Sequence, residues 1–240
     1  MQKERKSDAF QEMLTAAKGW LAGRSPEELA KLAGAEWKPE EKILSLQSLN
    51  QRLELSAEDW SVRPQPEDWH YLILLHYLSI ADGTPLSGEM ITFGNLKDGL
   101  IRGTKFDRTA DMALAGFLKG REPEQIKEVC RSLGAGFRDS NADLCAVFPF
   151  LPCYPVMVKM WFADEEFPAT GKMLVSASAD HYLTIEDAVA VEEASHGIGL
   201  ILCSLTFALN ASFPVLLCLR TQKAVHLSDP GSEMIPALRG

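Results

Sequence analysis

The sequence predicts an α+β fold in which helices pack on a small, mainly antiparallel sheet. Two observations indicate it. Helical spacing of apolar residues dominates the first half of the chain, and short apolar runs typical of strands follow between residues 144 and 175. A further helical pattern comes after them. Because helices and strands are grouped along the chain and do not alternate, we expect an antiparallel sheet covered by helices on one face.

The first half of the chain opens with a helical pattern. Apolar side chains recur at three- and four-residue spacing from Phe10 to Leu21, which gives the helix one apolar face. The string Ser25–Glu28 then supplies an N-cap serine, a proline at the first helical position and a capping-box glutamate. The short helix that follows is expected to end at Gly34.

The segment between residues 43 and 56 predicts a β-hairpin. Leu44–Gln47 and Leu53–Ser56 alternate between apolar and polar side chains, and Leu49–Gln51 lies between them as a turn. Propensity alone would also permit a helix here. Three helices are predicted next, over residues 69–80, 104–118 and 123–133.

Strand character dominates the second half of the chain. Apolar runs predict strands over residues 144–150, 156–162 and 173–175, the first two joined through 151–155. A capping pattern at Thr184 opens a long helix, which we expect to reach about Leu209.

Composition and charge limit the classes of partner. Of the 240 residues, 46% are apolar, and 33 acidic against 24 basic residues give a formal charge of −9. This field repels phosphate backbones, and the basic cluster at Lys3, Arg5 and Lys6 lies at the start of the chain. We therefore expect no nucleic-acid partner.

The cysteines indicate a reducing compartment. Their number is odd and no two are spaced C-x-x-C, so neither a disulfide framework nor a zinc knuckle is predicted. The basic first residues are not followed by the apolar stretch of a secretory signal. A cytoplasmic protein is expected.

One uncharged stretch, residues 197–219, is long enough to span a bilayer. Asn210 and Pro214 interrupt it. We expect a buried core element there and no membrane partner, with a membrane-tethered protein as an alternative.

Five segments together carry a family resemblance: His76–Leu78, Pro85–Phe93, Leu151–Pro152, Trp161–Ala169 and Tyr182–Asp187. They resemble an uncharacterised prokaryotic family, domain of unknown function 3786, over about residues 40–195. Trp161–Ala169 is the most specific of these segments.

The resemblance implies a division of the chain and a metabolic setting. It implies N-terminal helices over 1–38, a core domain over 39–209, and a strand-like C-terminal segment and tail over 210–240. Family members occur largely in anaerobes, sometimes fused to iron–sulfur domains or beside corrinoid-dependent methyl-transfer proteins. A corrinoid is therefore a candidate ligand, whereas the unclustered cysteines argue against an iron–sulfur module in this chain. The family supplies no mechanism.

The acidic triplet Asp164–Glu166 is the sharpest local feature. Adjacent carboxylates attract hard cations such as Mg²⁺ or Ca²⁺, and on a strand end Asp164 and Glu166 share a side. His181 could join them, which predicts a divalent-metal site of Asp164, Glu166 and His181. The alternative is a solvated turn. His76, among apolar neighbours, is interpreted as a hydrogen-bonded core histidine.

A ligand-binding cleft is predicted between the Pro85–Phe93 loop and the Trp161–Ala169 segment. The alternative for the loop is a strand-like connector. The candidate ligand-binding residues of the cleft are Glu89, Thr92, Phe93, Trp161, Asp164, Glu166 and Phe167.

No nucleotide, hydrolase or metalloprotease motif is present. The leading hypothesis is therefore a non-catalytic protein that binds a small ligand or a protein partner, acting in anaerobic metabolism. The alternative is a metal-dependent enzyme in which the predicted ion activates water. The sequence leaves the oligomeric state open.

Overall fold

The computed structural model describes residues 2–189. The predictions for residues 190–240, namely the C-terminal part of the predicted long helix, the uncharged stretch and the tail, lie outside the described residues. The described helices are α1 (Gln2–Leu21), α2 (Pro26–Leu32), α3 (Asp68–Ile80), α4 (Arg102–Leu118), α5 (Pro123–Ser132) and α6 (Ile185–Val189). The described strands are β1 (Glu36–Lys38), β2 (Ile43–Ser48), β3 (Gln51–Ser56), β4 (Val62–Arg63), β5 (Met90–Ile91), β6 (Gly136–Phe137), β7 (Leu144–Leu151), β8 (Tyr154–Trp161) and β9 (Thr170–Ser176).

The α+β class is confirmed, but the strands form two antiparallel sheets instead of one. The first has the order β1-β2-β3-β4 and the second the order β5-β9-β8-β7-β6. The sequence predicted only the central hairpin of the first sheet, because the outer strands β1 and β4 have only three and two residues. Within residues 2–189, no helix has both the length and the apolar composition needed to cross a membrane.

The predicted hairpin is confirmed as β2 and β3. Their register runs from Ile43 opposite Ser56 to Ser48 opposite Gln51. Leu49 adopts a φ of 53°, the left-handed conformation of a tight turn. Leu44 and Leu46 are buried on one strand, as the alternation requires.

The start of α2 also follows the sequence. The side chain of Ser25 accepts a hydrogen bond from Glu28 N at 3.4 Å, and Pro26 occupies the first helical position. Gly34 follows the helix with a φ of 64°. A Cβ at Gly34 would lie 3.1 Å from Cys153 Sγ, so the glycine also lets the β7–β8 turn approach α2 closely.

Helix α3 lies at the centre of the core. Every residue from Tyr71 to Leu75 is buried, as are Tyr77 and Leu78. A helix that is apolar on nearly all sides must be covered on all sides. Helices α1 and α2 contact it, and their Ala17, Leu21 and Leu29 belong to the same core as the two sheets.

The two sheets meet where β7 departs from regular pairing. The register between β7 and β8 shifts between Phe148 and Leu151, and such an irregularity frees backbone groups from the ladder. Leu49 N donates to Pro149 O at 2.7 Å, and Ser48 Oγ donates to Phe150 O at 2.7 Å. The hairpin turn therefore satisfies carbonyl groups of the second sheet.

Helix α4 packs on β9 at a very close approach. A Cβ at Gly171 of β9 would lie 2.5 Å from the Cβ of Leu114, which is buried on α4. Gly116, on the same helix, is exposed and has no atom near the position of a Cβ. Close packing therefore excludes a side chain at Gly171, whereas there is space for one at Gly116.

We expect Gly171→Ala to lower the free energy of unfolding by about 1–3 kcal/mol, because the added methyl group overlaps Leu114. Gly116→Ala should raise it by about 0.5–1 kcal/mol, because alanine favours an exposed helix interior. Urea unfolding of both variants checks this. Equal effects of the two substitutions would contradict the close packing of α4 on β9.

Candidate functional site

The acidic triplet forms an exposed turn between β8 and β9. Asp164 Oδ1 accepts hydrogen bonds from Phe167 N at 2.7 Å and Glu166 N at 2.9 Å. These two bonds hold the pKa of the Asp164 carboxyl below its usual range. Phe167 is 67% exposed, so it does not line a cleft. The solvated-turn alternative describes this segment.

The predicted cleft does not form, because its two halves lie at opposite ends of β9. The acidic turn precedes Thr170, whereas Met90 pairs with Ser176 at the other end of the strand. A seven-residue strand separates them by about 20 Å. The sequence indicated both segments but not the pairing of β5 with β9.

The other residues predicted for the cleft make contacts within the fold. Phe93 is fully buried, and its N–H donates to Asp107 Oδ1 at 3.0 Å. Trp161 Nε1 donates to Asn141 O at 3.1 Å. Glu89 O accepts a hydrogen bond from Ala177 N, and Thr92 precedes the short 3₁₀ turn that contains Phe93.

The predicted metal ligands are not brought together either. His181 Nδ1 lies 2.7 Å from Asp82 Oδ2 and 3.1 Å from Thr84 Oγ1, whereas Asp164 and Glu166 lie in the exposed turn. In the part of the chain that the structure describes, no group of three or more His, Cys, Asp or Glu side chains could hold a metal ion. The metal-dependent enzyme thereby loses its proposed site.

A different polar cluster joins α3 to α6. His76 Nδ1 lies 2.5 Å from Asp187 Oδ1, and the side chains are only 12% and 13% exposed. The indole of Trp20 lies against the imidazole, with ring centroids 4.9 Å apart, and is itself 53% exposed. We call Trp20, His76 and Asp187 the His76 cluster.

The Asp187 carboxylate is oriented by its own helix start. Asp187 Oδ2 accepts hydrogen bonds from Thr184 N at 3.1 Å and Thr184 Oγ1 at 2.7 Å. Burial would raise the pKa of Asp187, but hydrogen bonds from His76 and Thr184 outweigh it and leave the pKa lowered. The ionised carboxylate accepts, so Nδ1 of His76 carries the proton that it donates.

Two tyrosines, Tyr77 and Tyr182, form hydrogen bonds that connect segments distant in sequence. Tyr77 hydroxyl donates to Ala33 O at 2.7 Å and accepts from Cys153 N at 3.0 Å. The ring of Tyr182 stacks on that of Tyr77 with centroids 5.7 Å apart. The Tyr182 hydroxyl donates to Thr84 O, which attaches the loop after α3 to the segment before α6.

Tyr154 differs from these tyrosines. It is 1% exposed, and among residues 2–189 its hydroxyl has no hydrogen-bond partner. Burial, and then the negative charges of Asp187 and Asp180, raise its pKa. Most buried polar groups in proteins have a hydrogen-bond partner, so the Tyr154 hydroxyl is an exception among the described residues.

The three described histidines with partners show three environments. His70 Nε2 lies 2.8 Å from Ser48 Oγ, and burial lowers its pKa to about 4, so it is neutral. Since Ser48 gives its proton to Phe150 O, His70 is the donor. His181, at the surface, has a pKa raised by its hydrogen bond to Asp82. Only His76 combines burial with a carboxylate partner.

Sequence analysis placed His76 in the core but missed its partner. The signal was present, because Thr184 and Asp187 have the spacing of a capping box. His76 and Asp187 also lie within two of the segments that carry the family resemblance.

The model of one protein family, described as Domain of unknown function (DUF3786), matches residues 25–195. His76 and Asp187 lie inside the matched residues, and Trp20 lies before them. No curated protein and no solved structure matches the chain.

We expect Tyr77→Phe to lower the free energy of unfolding by about 1–3 kcal/mol, because the buried Ala33 carbonyl and the partly buried Cys153 N–H lose their partner. Tyr154→Phe is the matched control. The Tyr154 hydroxyl has no partner in the described part of the chain, so its removal should be neutral or stabilising. Chemical unfolding of the two variants tests this, and a larger loss in Tyr154→Phe would show that its hydroxyl is satisfied in solution.

The His181–Asp82 pair predicts a pH dependence. Because the folded pKa of His181 is raised, its stabilisation is present below the unfolded pKa of about 6.5 and is lost as pH rises through the folded value. Asp82→Asn should return the pKa of His181 toward about 6.5. NMR titration of the imidazole protons measures this, with His70 as the unaffected control. An unchanged His181 midpoint in Asp82→Asn would show that the pair does not form.

Proposed function

Because the chain belongs to the family described as Domain of unknown function (DUF3786), which has no activity to transfer, we propose a function from the geometry: a non-catalytic small-ligand-binding protein that binds at the His76 cluster. The observation that carries the proposal is a buried histidine held by a carboxylate beside an exposed indole.

The orientation of His76 supports this proposal. Its Nδ1–H is donated to Asp187, so in the neutral imidazole Nε2 is the nitrogen with the free lone pair. Among residues 2–189, the hydrogen bonds of His76 leave Nε2 without a protein partner. A carboxylate on the far nitrogen is also the usual arrangement behind a metal-binding histidine, because it fixes the ring and raises its basicity.

The ligand class follows from what surrounds the imidazole. Within the described residues no group of three or more His, Cys, Asp or Glu side chains could hold a metal ion at His76, so this site does not suit a bare ion. A metal that arrives inside a macrocycle needs only one axial protein ligand. The donor set therefore fits a metal-bearing tetrapyrrole such as haem or a corrinoid, and the exposed face of Trp20 offers apolar contact to a flat ring.

The cellular setting belongs to the same proposal. The cysteine pattern supports a cytoplasmic protein. The formal charge of −9 argues against nucleic acid as the partner. An anaerobic setting rests on the family resemblance alone.

Titration of the purified full chain with haem, and separately with hydroxocobalamin, tests the function. We expect a shift of the visible absorption bands with at least one of them, because Nε2 of His76 would bind the metal. His76→Ala should abolish the shift, and Asp187→Asn should weaken binding about 10–100-fold because the imidazole loses its orienting partner.

His181→Ala is the matched control, since it removes an exposed histidine that also pairs with a carboxylate. Thermal unfolding of each variant verifies that it is folded. If neither macrocycle shifts its spectrum, or if His76→Ala binds as tightly as the natural chain, the proposed site is wrong.

A further inference from the structure

The carboxylate of Asp187 directs its negative charge at the imidazole of His76. Its Oδ1 accepts the Nδ1–H of His76 at 2.5 Å. Its Oδ2 accepts hydrogen bonds from Thr184 N at 3.1 Å and Thr184 Oγ1 at 2.7 Å. Both carboxylate oxygens are therefore occupied, and the group cannot turn away from the imidazole without breaking these hydrogen bonds.

No lysine or arginine within residues 2–189 forms an ion pair with Asp187, so this charge is not neutralised there. The adjacent Glu186 pairs with Arg102 at 3.4 Å, so that arginine serves the neighbouring carboxylate instead. The side chains of His76 and Asp187 are only 12% and 13% exposed. Water and salt therefore screen the charge much less than they would at the surface.

A carboxylate behind a metal-binding imidazole affects the metal as well as the ring. It makes the imidazole a stronger electron donor, and such outer partners tune the properties of the metal. A fixed negative charge also attracts a metal more strongly when the metal carries more positive charge. Both effects favour the higher of two oxidation states.

We propose that the His76 cluster selects the oxidised form of its metal-bearing tetrapyrrole: ferric over ferrous haem, or the Co(III) over the Co(II) state of a corrinoid. This inference rests on the proposed function, because it concerns the same site. The protein transfers no electron in this proposal, since selection is a difference between two binding constants. Asp187 acts through His76, as a positioning residue that also supplies the charge.

Titration of the full chain with ferric haem and, under anaerobic reducing conditions, with ferrous haem measures the two dissociation constants. We expect the ferric form to bind more tightly. Asp187→Asn retains a carbonyl oxygen as acceptor but removes the charge, and it should lower the ratio of ferric to ferrous affinity about 10–100-fold. The weakening predicted above for this variant then falls mainly on the oxidised form.

The reduction potential of the haem complex checks the same quantity independently. Each tenfold fall in the affinity ratio raises the one-electron potential by about 59 mV, which spectroelectrochemical titration resolves. If the chain binds only the corrinoid, the ratio is measured between hydroxocobalamin and its Co(II) form.

Asp180→Asn is the matched control. Asp180 is also partly buried, and its charge reaches Tyr154 as that of Asp187 does, but the hydrogen-bonded carboxylate of His76 is Asp187. The control should leave the affinity ratio nearly unchanged. A fall as large as in Asp187→Asn would show an effect of total charge and overturn the inference.

The proposed function and this inference fail in different ways. No spectral shift with either macrocycle in either oxidation state overturns both. Binding through His76 with an unchanged ratio in Asp187→Asn overturns this inference alone. Should that variant fail to fold, the natural chain still decides, because equal affinity for the two oxidation states contradicts the selection.

Discussion

The burial of α3 is the constraint on which the rest of the structure depends. Residues Tyr71–Leu75 are all buried, so elements must cover the helix on every side. The hydroxyl of Tyr77 then joins two turns that regular secondary structure leaves unpaired, through Ala33 O and Cys153 N. A buried helix that also satisfies the backbone of its neighbours has one arrangement available to it, because any rotation would leave those groups without partners.

The position of His76 follows from this constraint. It is adjacent to Tyr77 on α3, so the packing of the helix sets where its imidazole lies. Asp187, 111 residues further along the chain, reaches it from the start of α6. Thr184 orients the carboxylate from the other side, so both partners of the His76–Asp187 hydrogen bond are held in place by the protein. Such preorganisation is what the proposed binding site would require.

Strand order determines whether the residues of the predicted sites lie close together. The acidic triplet was predicted at the end of a strand, and the Pro85–Phe93 segment was predicted as a loop or a strand-like connector. The triplet lies in the turn between β8 and β9, and the other segment contains β5. Strand order then separated them, since β5 pairs with the far end of β9. The carboxylate of Asp164 is occupied by the turn's own N–H groups. Local patterning indicated polar ends but not which ends share an edge of the sheet.

The sequence by itself determined the helices, the hairpin of β2 and β3 and the long strands, because periodicity and capping act between residues a few positions apart. It also determined the start of α6 at Thr184, whose capping pattern is local. The tertiary structure alone decided that the described strands form two sheets, that β5 joins β9, and that the pKa is lowered for His70 but raised for His181. Those outcomes depend on burial and on partners distant in sequence, which no local pattern specifies.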